Sequence, residues 1–454
     1  MYTFSGKLKT FSIILMVLGI VGIAYGFLTA PKTVEQVEVI LSEQHHGGHG
    51  SHDAHAAPAH GEATAHATPA HGEADAAHKE HQKHLEHVLH QLQNKPWAAV
   101  YIGCIFSMLV ALGVFTFNQI QYAASAGWSP VLFRVMEGLS AYLLPGSILF
   151  FLLLVASSSH LNHLFVWMAD GVTEPGHANY DAIIAGKSAY LNIPSFLIRA
   201  VVFLAGWNIF RMLSRKNSLA LDETGDLTYY KRNFKLAATY LVFFIVTESI
   251  MSWDWIMSID AHWYSTLFGW YVFASFFVTA ITVIALSTLY LKNKGVLEFV
   301  NTSHIHDLAK FMFGLSIFWT YLWFSQFMLM WYSNIPEEVT YFIFRIEEYN
   351  LPFFGMLVLN FVLPILLLVN TDFKRLSWII VMAGTCIIVG HYLDFFNMIM
   401  PGTVGASWFI GAAEIGSVFF FGGLFIFVGF SAIAKAPLLA KNNPMIEESK
   451  HFHY

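Results

Sequence analysis

The chain has 454 residues, of which 56% are hydrophobic, 16% aromatic and only 12% charged. An ordinary soluble domain carries about 25% charged residues, so a soluble globular enzyme is excluded. The net charge of −6 gives no reason to expect a nucleic-acid partner. Only two cysteines occur, Cys104 and Cys386, and both lie in apolar segments. This excludes a disulfide framework and a four-thiolate iron–sulfur or zinc site.

Ten apolar segments are long enough to cross a membrane, because a membrane helix needs about 20 mostly apolar residues. In chain order they cover residues 8–30, 97–120, 131–156, 189–213, 235–257, 265–291, 308–333, 351–370, 376–399 and 407–434. Tryptophans lie near several predicted ends, where such rings anchor helices at the membrane surface. The sequence therefore predicts an all-α integral membrane protein with ten transmembrane helices, surrounded by membrane lipid.

The distribution of Lys and Arg orients these spans. With the N-terminus inside, 17 of the 24 basic residues lie in inner segments, six lie in outer segments and Arg199 lies within a span. One span more or fewer would reverse every later loop and remove the asymmetry, so both termini are predicted to be cytoplasmic. The first span is interpreted as a retained helix, since no small-x-small cleavage site precedes Pro31.

Short internal matches indicate a duplication of four spans. The matching pairs are Met136–Ser140 with Met312–Ser316, Asn192–Phe196 with Asn350–Phe354 and, more weakly, Trp253–Trp255 with Leu393–Phe395. Each pair joins a span to the fourth span after it, which preserves membrane direction. We therefore predict two parallel-related four-helix bundles, spans 2–5 in residues 97–257 and spans 6–9 in residues 258–399. Span 1 (residues 1–30) and span 10 with the tail (residues 400–454) lie outside the bundles.

The segment between the first two spans, residues 31–96, is rich in histidine. Thirteen of the 22 histidines lie between His45 and His90, among Ala, Gly, Glu, Pro and Thr. This composition cannot bury a core and predicts a solvated periplasmic loop. Histidines at three-residue spacing from His78 to His90 predict a helical stub before the second span. The tract is interpreted either as a low-complexity spacer or as a site that captures Zn or Cu.

Ionisable side chains within membrane spans are costly, and each is by default a functional hypothesis. The seven that stand out are Glu137, Arg199, Glu248, Asp254, His391, Asp394 and Glu414. One hypothesis is a proton route that leads partway or fully through the protein. The alternative is a set of pairs that fix helix packing, for instance Arg199 with Glu248 or Glu137. His391 and Asp394 are three residues apart and are expected on one helix face.

His391 is the only histidine clearly within a span, so a membrane haem with histidine ligands from two facing helices is not expected. A quinone ring needs an apolar slot with a polar group near each carbonyl. The outer-side candidates are His160, His163, Asp254 and His262. The alternative is that these residues contact lipid headgroups or partner subunits. No catalytic residue, metal ligand or resident cofactor is predicted for this chain.

Two stretches carry a family resemblance. One is Ser252–Ser258 (SWDWIMS) followed by His262–Thr266, and the other is Trp323–Tyr332 (WFSQFMLMWY) running into Asn334–Glu338. Both resemble the polytopic membrane subunits of bacterial alternative complex III, the F subunit in particular. These subunits are related to the NrfD/polysulfide-reductase membrane anchors. The resemblance covers roughly residues 95–435.

The resemblance implies a respiratory complex in the bacterial inner membrane that oxidises menaquinol or another quinol. Electrons would pass to a cytochrome c or directly to a terminal oxidase. Haem c and iron–sulfur clusters would belong to partners: a multihaem cytochrome c and iron–sulfur subunits. A homologous polytopic subunit would hold the better-supported quinol site, and both polytopic subunits would contain proton half-channels.

Three functional hypotheses follow from the sequence. The first is a cofactor-free membrane subunit of a quinol-oxidising complex, which supplies scaffold and a proton route. The second is a subunit that itself binds quinol near the periplasmic side. The third is a secondary transporter, since repeated bundles with buried charges also occur in that class.

Overall fold

The structure, a computed structural model, describes residues 2–39 and 71–453. Within these residues, ten helices are long and apolar enough to cross a membrane. They are Gly6–Thr29 (α1), Val88–Ala123 (α2), Pro130–Ser158 (α3), Ile193–Thr224 (α4), Thr228–Ile259 (α5), Phe268–Asn293 (α6), Thr302–Ser333 (α7), Asn350–Leu368 (α8), Ser377–Val404 (α9) and Ala412–Ile433 (α10). No strand occurs in the described residues. The predicted all-α membrane architecture with ten spans is confirmed.

The second span is the end of a longer helix, His71–Ala123, which contains Pro96. Residues 71–96 were predicted to belong to the outer loop, but they are helical and continuous with α2. The expected helical stub is thus present. Residues 40–70 and the side chains of most tract histidines lie outside the described residues. The hypothesis that this tract binds a metal therefore concerns residues that the structure does not describe.

The helices contact one another in two rings. In the first ring, α2 packs on α3, α3 on α4, α4 on α5, and α5 on α2. In the second ring, α6 packs on α7, α7 on α8, α8 on α9, and α9 on α6. The rings meet where α2 contacts α6 and α9, and where α5 contacts α6. α10 packs on α2 and α3, and α1 lies along α10. The duplication that would relate the two rings remains a prediction.

α2 and α6 form the centre of the molecule. In their most apolar windows, 89% of α2 and 83% of α6 is buried by protein, against 11% for α1. Hydropathy does not separate α1 from these two helices, because lipid tails and a protein interior are equally apolar surroundings for Leu or Phe. The central position follows instead from contacts with helices that are distant in the sequence.

The C-terminal residues 435–453 lie against one end of the helix bundle, which we call the tail side; the opposite end, at residues 159–192, is the loop side. Ser449 Oγ donates to the Trp128 carbonyl at 2.7 Å. The ring of His304 bonds the Ser449 carbonyl through Nε2 at 3.0 Å. These bonds tie the tail to the connection before α3 and to the first turn of α7.

The contact between α1 and α10 depends on glycines. Gly19, Gly22 and Gly416 lie where the two backbones approach closely, as small residues do in membrane helix pairs. A Cβ on Gly416 would lie 2.8 Å from the Ile23 backbone nitrogen. Close backbone approach is therefore what docks α1, whose own surface is largely exposed to lipid.

We expect Gly416→Ala to weaken the docking of α1 and to destabilise the protein by about 1–3 kcal/mol, the cost of overpacking a close contact. Gly422→Ala in the same helix is the control, because a Cβ there meets nothing within 4 Å. The measurement is the midpoint of thermal unfolding in detergent. Equal midpoints for the two variants would contradict the glycine contact.

Candidate functional site

A fully enclosed group of polar side chains lies in the second ring, around His391 and Asp394. Both side chains are fully buried on α9, and His391 Nδ1 lies 3.5 Å from Asp394 Oδ2. The predicted shared helix face is confirmed. The surrounding structure then decides what this pair can do chemically.

Donors from α6 and α7 converge on the Asp394 carboxylate. Tyr271 donates its hydroxyl to Oδ1. Ser275 Oγ donates to Oδ2 at 2.7 Å, and the Trp319 indole N–H donates to Oδ2 at 2.8 Å. All three donors are uncharged. Among the described residues, His391 is the one basic side chain within ion-pair distance of this carboxylate, and it is a cation only when protonated.

His391 is linked to Asp394 through a shared hydroxyl. Its Nδ1 lies 2.9 Å from Ser275 Oγ. Because the single Ser275 proton goes to Asp394, the histidine ring donates from Nδ1 to the same oxygen. The other ring nitrogen, Nε2, is buried and has no hydrogen-bond partner among the described residues. That nitrogen is a basic atom available to take a proton.

A local irregularity in α8 places Asn360 beside this histidine. Residues Val358–Val362 form a π-helical turn. Asn360 is fully buried within that turn, and its Nδ2 lies 3.4 Å from His391 Nδ1. A Cβ on Gly390 would lie 2.7 Å from the Leu359 side chain, so glycine permits the close approach of α9 to α8. π-helical turns occur often at functional sites.

The loop-side end of the site is a small cavity. It has a volume of about 10 Å3 and is lined by Tyr271, Gln326, Arg345 and Asn397, among others. This size is close to the minimum for one water molecule. The Tyr271 hydroxyl that donates to Asp394 thus belongs to a residue that also lines this cavity.

Arg345 supplies a buried positive charge at this cavity. It lies in the short helix Pro336–Glu347, is 3% exposed, and donates from Nε to the Asn397 carbonyl at 2.9 Å. Its guanidinium also lies 3.4 Å from the centre of the Tyr341 ring. Arg345 is one of the six basic residues that the sequence predicts for outer segments, and no role is predicted for it. The helix that buries it is strongly amphipathic, and this was the signal available to find it.

Arg199 and Asp254 form the corresponding site of the first ring, and its chemistry differs. Arg199 Nε donates to Asp254 Oδ2 at 2.6 Å and Nη2 donates to Oδ1 at 3.0 Å. The predicted alternative that paired Arg199 with Glu248 or Glu137 is wrong. Arg199 lies two turns from the loop-side end of α4, where the end of α5 comes into reach.

Glu137 belongs to an ion-pair network on the tail side. Arg134 donates from Nη1 to its carboxylate at 2.6 Å, and Ser218 and Arg215 donate as well. Arg134 also bonds Asp222. The two arginines and two carboxylates of this network neutralise one another. This suits the interpretation that the buried charges form pairs that fix helix packing.

Glu248 and Glu414 lie apart from these groups. Glu248 accepts from Ser252 Oγ at 3.1 Å and has no ion-pair partner among the described side chains. Glu414 accepts from the Gly411 N–H at 2.8 Å, with Lys95 Nζ 3.9 Å from its Oε1. The seven predicted residues therefore occupy five separate places, and the hydrogen bonds described here do not join them into one route.

The four predicted quinol ligands are not brought into one pocket. His160 and His163 lie together in the loop after α3 with exposed side chains, whereas Asp254 is buried against Arg199. His262 instead bonds Asp181 at 2.6 Å. The Ile184 N–H, together with the His262 ring, lowers the pKa of the Asp181 carboxyl. This arrangement suits a loop contact better than a quinone slot.

Comparison with known proteins leaves the family unassigned. The sequence matches no model of a known protein family, and no curated protein matches it significantly. The motif resemblance therefore remains an expectation, and what it implies is a matter for proposal.

The ion pair of the first ring yields a stability prediction. Arg199→Leu leaves a buried carboxylate without its cation, which costs about 3–5 kcal/mol. The double variant Arg199→Leu/Asp254→Leu removes both charges and should recover most of that loss. Unfolding midpoints of the single and double variants in detergent test this. A double variant no more stable than Arg199→Leu would contradict the pairing.

Proposed function

We propose that this chain is a polytopic membrane subunit of a respiratory quinol-oxidising complex of the alternative complex III type. It would lie in a bacterial inner membrane with its tail side cytoplasmic. It would hold no redox cofactor itself and would supply scaffold and a proton route. The motif resemblance supports the complex, and the His391–Asp394 site supports the proton route.

The observation that carries the proton route is that the three groups that donate hydrogen bonds to Asp394 are uncharged. A carboxylate held by an arginine keeps its charge, because losing it would leave the cation unpaired. Asp394 is held by two hydroxyls and an indole instead. Each hydroxyl is both a donor and an acceptor, so it can pass a proton on. This is the composition expected of a relay rather than of a structural ion pair.

The relay has a direction. From His391 it runs through Ser275 to Asp394 and on to Tyr271, which reaches the small loop-side cavity. At this end Ser265 Oγ donates to Gln326 Oε1 at 2.5 Å. On the tail side of His391, residues 377–390 of α9 include no Asp, Glu, Lys, Arg or His. This pattern supports a half-channel from the loop side to mid-membrane.

The proposed assembly predicts what accompanies the chain. Purification in mild detergent should bring down a multihaem cytochrome c and iron–sulfur subunits, visible as haem absorbance and cluster signals in stoichiometric amounts. A homologous polytopic subunit should be found by mass spectrometry. A lone monodisperse protein would refute the assembly and would favour the transporter hypothesis.

The relay predicts the effect of two substitutions. Asp394→Asn and His391→Gln should slow quinol-driven proton movement by on the order of tenfold or more, because each removes a group that takes up a proton. The assay follows a pH-sensitive dye in vesicles that contain the complex. Cys386→Ala, on the same helix and outside the site, should leave the rate unchanged.

Assembly must be intact for this comparison, so haem content per complex is measured for every variant. Proton movement at the Cys386→Ala rate in both site variants would reduce His391 and Asp394 to packing roles.

A further inference from the structure

A second, much larger cavity lies between α9 and α10, and we call it the groove. Its volume is about 600 Å3, within the range of about 300–1,000 Å3 found for small-molecule sites. α2 and α6 form its floor, because α10 packs on α2 and α3 and leaves a gap toward α9. None of the relay residues of the previous section lines it.

The mouth of this groove opens toward lipid. Val389 on α9 and Ile410, Ile415 and Val418 beside or on α10 line it, and all four are at least 40% exposed on apolar helix surface. A molecule that enters must therefore come from the hydrocarbon of the membrane.

The loop-side end of the groove carries polar groups that lack hydrogen-bond partners. Glu414 lines the groove and is 2% exposed, and its Oε1 has no hydrogen-bond partner among the described residues. The Tyr392 hydroxyl, on the facing wall, also has none. Lys95 Nζ lies 3.9 Å from Glu414 Oε1 without a hydrogen bond. A buried polar atom without a hydrogen bond is costly, so these atoms indicate a ligand head.

The chemistry of this end defines the head. A carboxylate oxygen accepts hydrogen bonds only, whereas a phenol both donates and accepts. A hydroxyl that donates to Glu414 and accepts from Tyr392 satisfies both residues. A phosphodiester group only accepts hydrogen bonds, so it cannot donate to the Glu414 carboxylate as a hydroxyl does.

The walls favour an aromatic head on an apolar chain. Phe106, Phe396, Phe421 and Phe425 line the groove together with Tyr392. Aromatic rings prefer edge-to-face and offset contacts with other rings. We propose that the groove binds a lipid-soluble hydroquinone, with one ring hydroxyl at Glu414 and Tyr392 and its chain along α10. The choice of hydroquinone over another hydroxylated ring lipid rests on the proposed function.

Binding is tested on the detergent-purified protein with a photoreactive azide derivative of a short-chain menaquinol. Labelled peptides are identified by mass spectrometry. The expected result is label on α9 and α10, suppressed by excess unlabelled menaquinol and unaffected by excess phospholipid. Label confined to other helices, or suppression by phospholipid to the same extent, would overturn the proposal.

Variants make the test specific. Val389→Trp fills the mouth and should abolish labelling. Val381→Trp is the matched control, because Val381 lies on the same helix with the same 47% exposure but does not line the groove. Glu414→Gln should weaken binding by about tenfold, the effect of losing a hydrogen bond to a charged group. Equal labelling of the two tryptophan variants would overturn the site.

This experiment and the proposed function can fail separately. Labelling measures binding and needs no electron transfer or partner subunit. A chain that binds menaquinol in the groove yet purifies without haem or iron–sulfur subunits would refute the complex and retain the site. A complete complex without labelling at α9 and α10 would refute the groove site and retain the proposed complex.

Discussion

Hydrocarbon offers no hydrogen bonds, so every ionisable side chain inside the membrane must be satisfied by the protein itself. This chain meets that requirement in two ways. Asp254 and Glu137 are held by arginines, which fixes their charge and binds helices together. Asp394 is held by hydroxyls and an indole. The first solution suits a scaffold and the second permits proton exchange, and the proton route proposed at Asp394 rests on this difference.

The same constraint explains where helices meet closely. Since apolar surface gains nothing by leaving lipid for protein, contact depends on shape and on polar bonds. α1 and α10 join through glycines such as Gly19 and Gly416. Gly390 likewise permits α8 and α9 to approach around Asn360. Between α9 and α10 a wide groove remains, with Glu414 at its loop-side end.

The internal matches acquire chemical meaning when the two rings are compared. The weak match of Trp253–Trp255 with Leu393–Phe395 pairs Asp254 with Asp394. Both are fully buried, both lie toward the loop side, and their partners differ in kind. If the rings arose by duplication, an ancestral carboxylate position has taken a structural role in one copy and is proposed to have a proton-handling role in the other.

The ten spans and the shared face of His391 and Asp394 are predictable from the sequence, because apolar length and helical period are local properties of the chain. The sequence could not show which spans are central, because the peripheral α1 is as apolar as the central α2. It also could not pair Arg199 with Asp254 or find Tyr271, Ser275, Trp319 and Asn360 around the second-ring site. Those groups lie 31 to 123 positions from the residues they contact. Only tertiary packing brings such distant groups within hydrogen-bond reach, since a hydrogen bond acts over about 3 Å and no sequence pattern encodes that distance.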